Sequence, residues 1–132
     1  LADLEGASAA LVFSSGIAAC TAPFHALKRG EQALVSKTIY HGVLSFIDEF
    51  AESWGISIDY FETGNLQDLE EKLVKGKTRL VWLETPANPS WVVTDLEAAA
   101  KLAHEAGALL AVDSTAATPV LTRPLELGAD LV

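Results

Sequence analysis

An α/β fold is predicted for this chain: three layers, with a mostly parallel sheet between helices on both faces. Three observations lead there. Short apolar runs alternate with amphipathic stretches along the whole sequence, the strand–helix rhythm that generates parallel crossovers. Runs such as Arg79–Glu84 and Ala108–Val112 are almost continuously apolar, as strands covered on both faces must be. The chemically unusual residues fall immediately after these runs, and open α/β sheets bind ligands at the carboxyl ends of their strands.

Each element has a local reason. Leu1–Glu5 reads as the last turns of a helix. Ala9–Phe13 is a short apolar run, read as a strand entering the small-residue turn Ser14-Ser15-Gly16, which opens a helix. Ile17–Leu27 has helical character and stops at Lys28-Arg29-Gly30, a basic last turn with a terminal glycine. Gln32–Ser36 is strand-like. Tyr40–Trp54 is predicted as a helix because Val43, Leu44, Phe46, Ile47 and Phe50 recur at core-facing spacing, and Gly55 ends it. Ser57–Phe61 is the next strand. Asn65 is a candidate cap for a helix over Leu66–Val74, with Asp68, Glu70 and Glu71 near its positive end. Arg79–Glu84 is a strand, and Thr85-Pro86-Ala87-Asn88-Pro89 must be a loop, since two prolines fit neither regular ladder. Asp95–Ala106 is a helix capped by Thr94 or Asp95 and ended by Gly107. Ala108–Val112 is a buried strand, and Ala129–Val132 begins another.

The 132 residues suffice for one modest domain, and 50% of them are hydrophobic, ample for a core. A formal net charge of −9 argues against nucleic acid or an anionic membrane as partner, since both need a basic face. A small anionic ligand remains compatible, because backbone N–H groups bind it without net positive charge. Cys20 is the single cysteine, so no internal disulfide forms, which accords with a reducing cytoplasm. No apolar run approaches the ~20 residues of a membrane span. His25 and His104 have no second metal-type ligand at helical spacing, so no metal site is expected. Cys20 is read as packed, Trp54, Trp82 and Trp91 as core or interface, and Glu70-Glu71 with Lys72, Lys75 and Lys77 as a solvated face.

Four positions could carry chemistry. Ser15, Gly16 and Ile17 form a strand-to-helix turn whose free N–H groups and glycine suit a phosphate; equally, Ser15 could be a plain helix cap. The turn lacks the Gly-Lys-Ser/Thr ending of a Walker loop and the three-glycine dinucleotide fingerprint. Asp113 ends a strand of apolar residues, where a carboxylate is costly without a cationic or hydrogen-bonding partner; a pyridinium nitrogen would serve, and so would the turn through Ser114 and Thr115. Asn88, between two prolines, is aimed by a stiff loop or simply forms an Asn-Pro turn. Tyr40, at a strand-to-helix junction, could stack on a planar heterocycle or serve as an ordinary staple or core residue.

Taken together and in this order, these segments resemble the Cys/Met-metabolism enzymes that use pyridoxal 5′-phosphate (PLP): cystathionine γ-synthase, cystathionine lyases, methionine γ-lyase and homoserine sulfhydrylases. Phe13-Ser-Ser-Gly-Ile-Ala-Ala19 resembles the family's phosphate-binding turn, and Thr38-Ile-Tyr-His-Gly42 its Tyr-Gly segment. Leu83-Glu-Thr-Pro-Ala-Asn-Pro89 is similar to its Glu-x-Pro-x-Asn-Pro segment. Ala111-Val-Asp-Ser-Thr115, followed by Thr122-Arg-Pro-Leu-Glu-Leu-Gly-Ala-Asp-Leu-Val132, is similar to the stretch that leads to its lysine. The resemblance implies part of the large PLP-binding domain of an aspartate-aminotransferase-like fold over residues 1–132. The N-terminal arm, the lysine segment and the C-terminal domain are then expected outside this sequence. It also implies roles. Ser15, Gly16 and Ile17 would hold the phosphate, Tyr40 would stack on the ring and help manage protons, and Asn88 would contact the ring-hydroxyl side. Asp113 would pair with the ring nitrogen, with Thr115 in support. The implied chemistry is elimination or replacement on sulfur-containing or homoserine-derived amino acids, by a cytoplasmic homo-oligomer (dimer or tetramer). The isolated chain, lacking the lysine, is expected to be inactive. Ser114, His41 and Ile17 stand where the family more often has asparagine, glycine and methionine, which leaves the subfamily open. Read from the residues alone, a nucleotide-binding Rossmann-like domain and a non-catalytic interaction module are the alternatives. Against the former stand the missing glycine fingerprint and the ending Ser36-Lys37, where that fold needs an acidic residue.

Overall fold

The computed structural model describes residues 1–132. Four strands, β1 (Gln32–Ser36), β2 (Ser57–Phe61), β3 (Thr78–Glu84) and β4 (Leu109–Asp113), form one parallel sheet in the order β2-β1-β3-β4. Leu131 adds a parallel bridge to Ala111 on the free side of β4. The helices are α1 (Ala2–Glu5), α2 (Gly16–Thr21), α3 (His41–Trp54), α4 (Leu66–Lys72), α5 (Leu96–Ala106) and α6 (Thr118–Leu121). Single 3₁₀ segments lie at Ala22–Ala26 and Pro124–Leu127. The chain runs from β1 outward to β2, then returns past β1 to β3 and β4. The direction of winding therefore reverses between β1 and β3, the place where open sheets leave a crevice at their carboxyl ends.

Alternation along the strands divides the core in two. Ala33 and Val35 of β1, Leu80 and Trp82 of β3 and Ala111 of β4 pack with Phe24, Leu27, Val43, Ile47 and Phe50, under α3 and the segment before β1. Leu34, Val81, Leu83, Leu110 and Val112 point the other way, against Leu69 of α4 and Leu96, Ala99, Ala100 and Ala103 of α5. This is the predicted three-layer arrangement. Each fully buried side chain of Leu or Val size contributes roughly 1.5–3 kcal/mol, and Leu34, Val35, Val81, Leu83 and Leu110 are all at 0% exposure, so both layers are held by β1, β3 and β4.

The caps follow the sequence. Asn65 accepts a hydrogen bond from the Asp68 N–H at 3.1 Å and starts α4. Asp95, rather than Thr94, caps α5 by accepting from the Ala98 N–H at 3.0 Å. Gly55 and Gly107 end α3 and α5 in the left-handed region, at φ 74° and 81°.

Several elements differ from expectation. Ala9–Phe13 is not a strand: it makes no backbone hydrogen bond, and Leu11 and Val12 stand 82% and 81% exposed. Its composition suits a strand, but a strand exists only where a neighbour completes its ladder. The helix expected over Ile17–Leu27 begins at Gly16 and breaks into a 3₁₀ turn, because Pro23 has no N–H to continue the α ladder. α4 stops at Lys72 rather than Val74, since Val74 is drawn into a turn in which its N–H donates to Thr78 Oγ1 and its carbonyl accepts from the Thr78 N–H. Of the three tryptophans read as core or interface, Trp82 lies in the core and Trp54 and Trp91 lie outside it, 48% and 64% exposed. No helix is long and apolar enough to cross a membrane.

Candidate active site

The carboxyl ends of β1, β3 and β4 bring the singled-out residues to one end of the sheet. Glu84, the last residue of β3, lies in register with Asp113, the last residue of β4. Strand side chains alternate, so both carboxylates follow Trp82 and Ala111 onto the face that carries α2 and α3.

Tyr40 stands at the N-cap position of α3, just past β1, with 53% of its surface exposed. Its backbone N–H donates to Glu84 Oε2 at 2.7 Å. The backbone N–H of Asn88 donates to the other oxygen, Oε1, at 2.8 Å, and Asn88 itself is exposed. Glu84, 6% exposed, therefore holds two loops with one carboxylate. Burial raises its carboxyl above the ordinary glutamate value. The N–H groups of Asn88 and Tyr40 work against that rise, and the charge of Asp113 adds to it.

Asp113 is half-buried. Its Oδ1 accepts from the Thr115 N–H at 3.0 Å and from the Thr115 hydroxyl. Its Oδ2 accepts from the Cys20 thiol, with sulfur 3.4 Å away. Burial, then the charge and hydrogen bond of Asp113, then the charge of Glu84 push the Cys20 thiol up to about 12. The carboxylate thus caps its own turn with one oxygen and turns the other toward α2.

At the start of α2, Ser15 caps the helix, its Oγ accepting from the Ala18 N–H at 3.2 Å. The N–H groups of Gly16 and Ile17 have no partner in the chain. A Cβ placed on Gly16 would meet nothing within 4 Å, so this turn opens to space. The same construction on Gly42 would lie 2.9 Å from both Ile17 Cδ1 and Tyr40 Cε1, which shows how closely the turn and the tyrosine approach.

All seven singled-out residues, Ser15, Gly16, Ile17, Tyr40, Asn88, Asp113 and Thr115, lie in these linked loops. The sequence reading missed Glu84 and Cys20. The signal for Glu84 was present: like Asp113, it is a carboxylate closing an apolar run. Cys20 carried none, because its contact with Asp113 spans 93 positions. The residues fit PLP chemically. Two unpaired N–H groups at an open glycine suit a phosphate, an exposed aromatic ring suits a planar heterocycle, and a carboxylate oxygen met only by a thiol suits a ring N–H.

The model for the Cys/Met metabolism PLP-dependent enzymes matches residues 1–132, and the chain belongs to that family. It is 38% identical to a chloroplastic mimosinase from Mimosa pudica, over all of this chain and 30% of that protein. It is also 38% identical to a cystathionine gamma-lyase from Dictyostelium discoideum, over all of this chain and 34% of that protein. Among solved structures, metB from Corynebacterium glutamicum superposes with a TM-score of 0.91 at 40% identity, over 97% of this chain and 33% of that one. The chain spans about a third of the length of the relatives it matches. The Rossmann-like alternative falls with this membership.

Proposed function

We propose that this chain is the central part of the PLP-binding large domain of an enzyme for sulfur-containing or homoserine-derived amino acids. That enzyme removes or exchanges a side-chain substituent of its substrate. The carrying observation is the convergence of the Gly16–Ile17 turn, Tyr40, Asn88 and Asp113 at one end of the sheet. The N–H groups of Gly16 and Ile17 hold the phosphate, and Ser15 keeps that turn formed. Tyr40 covers one face of the ring with a side chain free to adjust and to pass protons. Asn88 offers its amide to the ring-hydroxyl side. Asp113 accepts from the ring nitrogen and keeps a proton there, while Thr115 fixes the carboxylate. Bound in this way, PLP supplies an electron sink for charge developing at the substrate's Cα.

The lysine-bearing segment and the substrate-carboxylate site belong to the remaining length of the enzyme in this reading, so the isolated chain is inactive. A homo-oligomer agrees with the exposed apolar residues Leu11, Val12, Val120 and Leu121. A cytoplasmic location agrees with the one free thiol.

The test is Asp113→Ala in the full-length enzyme, assayed for release of 2-oxo acid from sulfur amino acids with PLP present. The wild type should turn over and the variant should lose at least about 100-fold, with unchanged far-UV circular dichroism. Near-normal turnover of the variant would remove Asp113 from its role. A wild type that neither binds PLP nor releases 2-oxo acid would end the functional reading.

A further inference from the structure

We infer that Glu84 is a positioning residue, whose buried carboxylate fixes the two loops that present Tyr40 and Asn88 to the cofactor. The inference rests on the PLP reading above and adds a residue that touches no ligand.

A carboxylate is costly to bury unless its oxygens are matched. Glu84 matches both, each with one backbone N–H: Tyr40 at 2.7 Å and Asn88 at 2.8 Å. The donors are 44 positions before it and 4 after it in sequence, so one side chain ties the β1–α3 connection to the β3–α5 connection. These connections flank the point where the winding of the sheet reverses. The Tyr40 ring makes no hydrogen bond of its own, and over half of its surface is exposed. Its position is therefore set by its backbone, and the anchor of that backbone at the N–H is Glu84. Asn88 is likewise exposed, and its backbone N–H has Glu84 as its partner.

The side-chain type matters. Two N–H donors need two acceptor oxygens, and glutamine offers one oxygen and an NH₂ group that would confront the second N–H. Glu84→Gln keeps the volume and frees one loop. It also removes a negative charge beside Asp113. Glu84→Asp keeps the charge and both acceptors but withdraws them by one methylene from loops they must reach together. A charge effect would harm only the glutamine variant; loss of positioning harms both.

The experiment uses the full-length enzyme, wild type, Glu84→Gln and Glu84→Asp. Amide hydrogen exchange by mass spectrometry is followed without PLP, then PLP affinity and the induced circular dichroism of bound PLP are measured. Peptides covering residues 38–42 and 86–90 should exchange about tenfold faster in both variants, and PLP should bind about tenfold more weakly with a reduced induced signal. Unchanged exchange in these peptides, or faster exchange with PLP affinity and induced signal as in the wild type, would overturn the inference. An effect confined to Glu84→Gln would assign it to charge. If neither variant folds, Glu84 is purely structural and the inference is wrong. A wild type that does not bind PLP would sink the functional reading instead, while the exchange data still report on whether Glu84 holds the loops.

Discussion

Gly42 offers a way to move the Tyr40 ring without changing any charge. It is the second residue of α3, and a Cβ there would lie 2.9 Å from Ile17 Cδ1, 2.9 Å from Tyr40 Cε1 and 3.5 Å from Tyr40 Cδ1. Carbon atoms prefer about 3.5–4.0 Å, so in Gly42→Ala the ring and the isoleucine tip must each retreat by roughly 0.5–1 Å. Both are partly exposed and free to swing, so they yield rather than the helix. The helix itself loses nothing, because alanine is the better helix former, although in the first turn its advantage falls below the roughly 0.5–1 kcal/mol of a helix interior. Stability and cofactor binding should therefore part company. The melting temperature of the full-length apoenzyme should stay within about 3 °C of wild type or rise. The affinity for PLP, titrated by quenching of tryptophan fluorescence, should fall about tenfold, the equivalent of about 1.4 kcal/mol. Ile17→Val deletes the Cδ1 that meets the new methyl group, so the double variant should recover part of the affinity. Unchanged PLP affinity in Gly42→Ala would refute the reasoning, as would a loss that tracks a large drop in melting temperature.

Two further outcomes follow from exposure and charge. With its thiol pushed up to about 12 by burial and then by Asp113, Cys20 should be almost wholly protonated at neutral pH. Its reaction with an aromatic disulfide at pH 8 should be at least about tenfold slower than that of free cysteine, and should become fast on unfolding; rapid labelling of the native protein would contradict the placement of Cys20 against Asp113. The 132-residue chain expressed alone should self-associate, because Leu11, Val12, Val120 and Leu121 stand 78–86% exposed and unpaired apolar stretches recruit other chains. Light scattering coupled to size exclusion checks this, and a sharp, concentration-independent monomer would refute it.

What was legible in the sequence was what local chemistry decides. The turn at Ser15-Gly16, the caps at Asn65 and Asp95 and the stops at Gly55 and Gly107 depend on a few adjacent residues, and each stands where it was read. Asp113 was legible because a carboxylate closing an apolar strand needs an explanation. What was not legible depends on distant partners. Nothing in Ala9–Phe13 tells whether a neighbouring strand exists, and the run stays unpaired. The order β2-β1-β3-β4, which sets Tyr40 beside Glu84, is a long-range outcome of helix and sheet packing. The contact between Cys20 and Asp113 arises the same way, since 93 positions separate the two residues along the chain.

The two carboxylates at the strand ends show how one sequence feature divides into two tasks. Glu84 and Asp113 occupy equivalent positions on adjacent parallel strands, pair in register and face the same side. Sequence alone would treat them alike. Their partners separate them. Each oxygen of Glu84 accepts from a backbone N–H of another loop, and the side chain is buried, so it has little surface to offer a ligand. Asp113 spends Oδ1 on its own turn, and Oδ2 meets only a thiol, a weak donor that a charged ring N–H outbids. The register of β3 against β4 keeps this division in place. A slip of one residue would turn either carboxylate toward the apolar face of α5, where Val81, Leu83, Leu110 and Val112 are packed and no donor awaits it. The same apolar packing that makes the fold thus holds one carboxylate between two loops and leaves the other with an oxygen met only by a thiol.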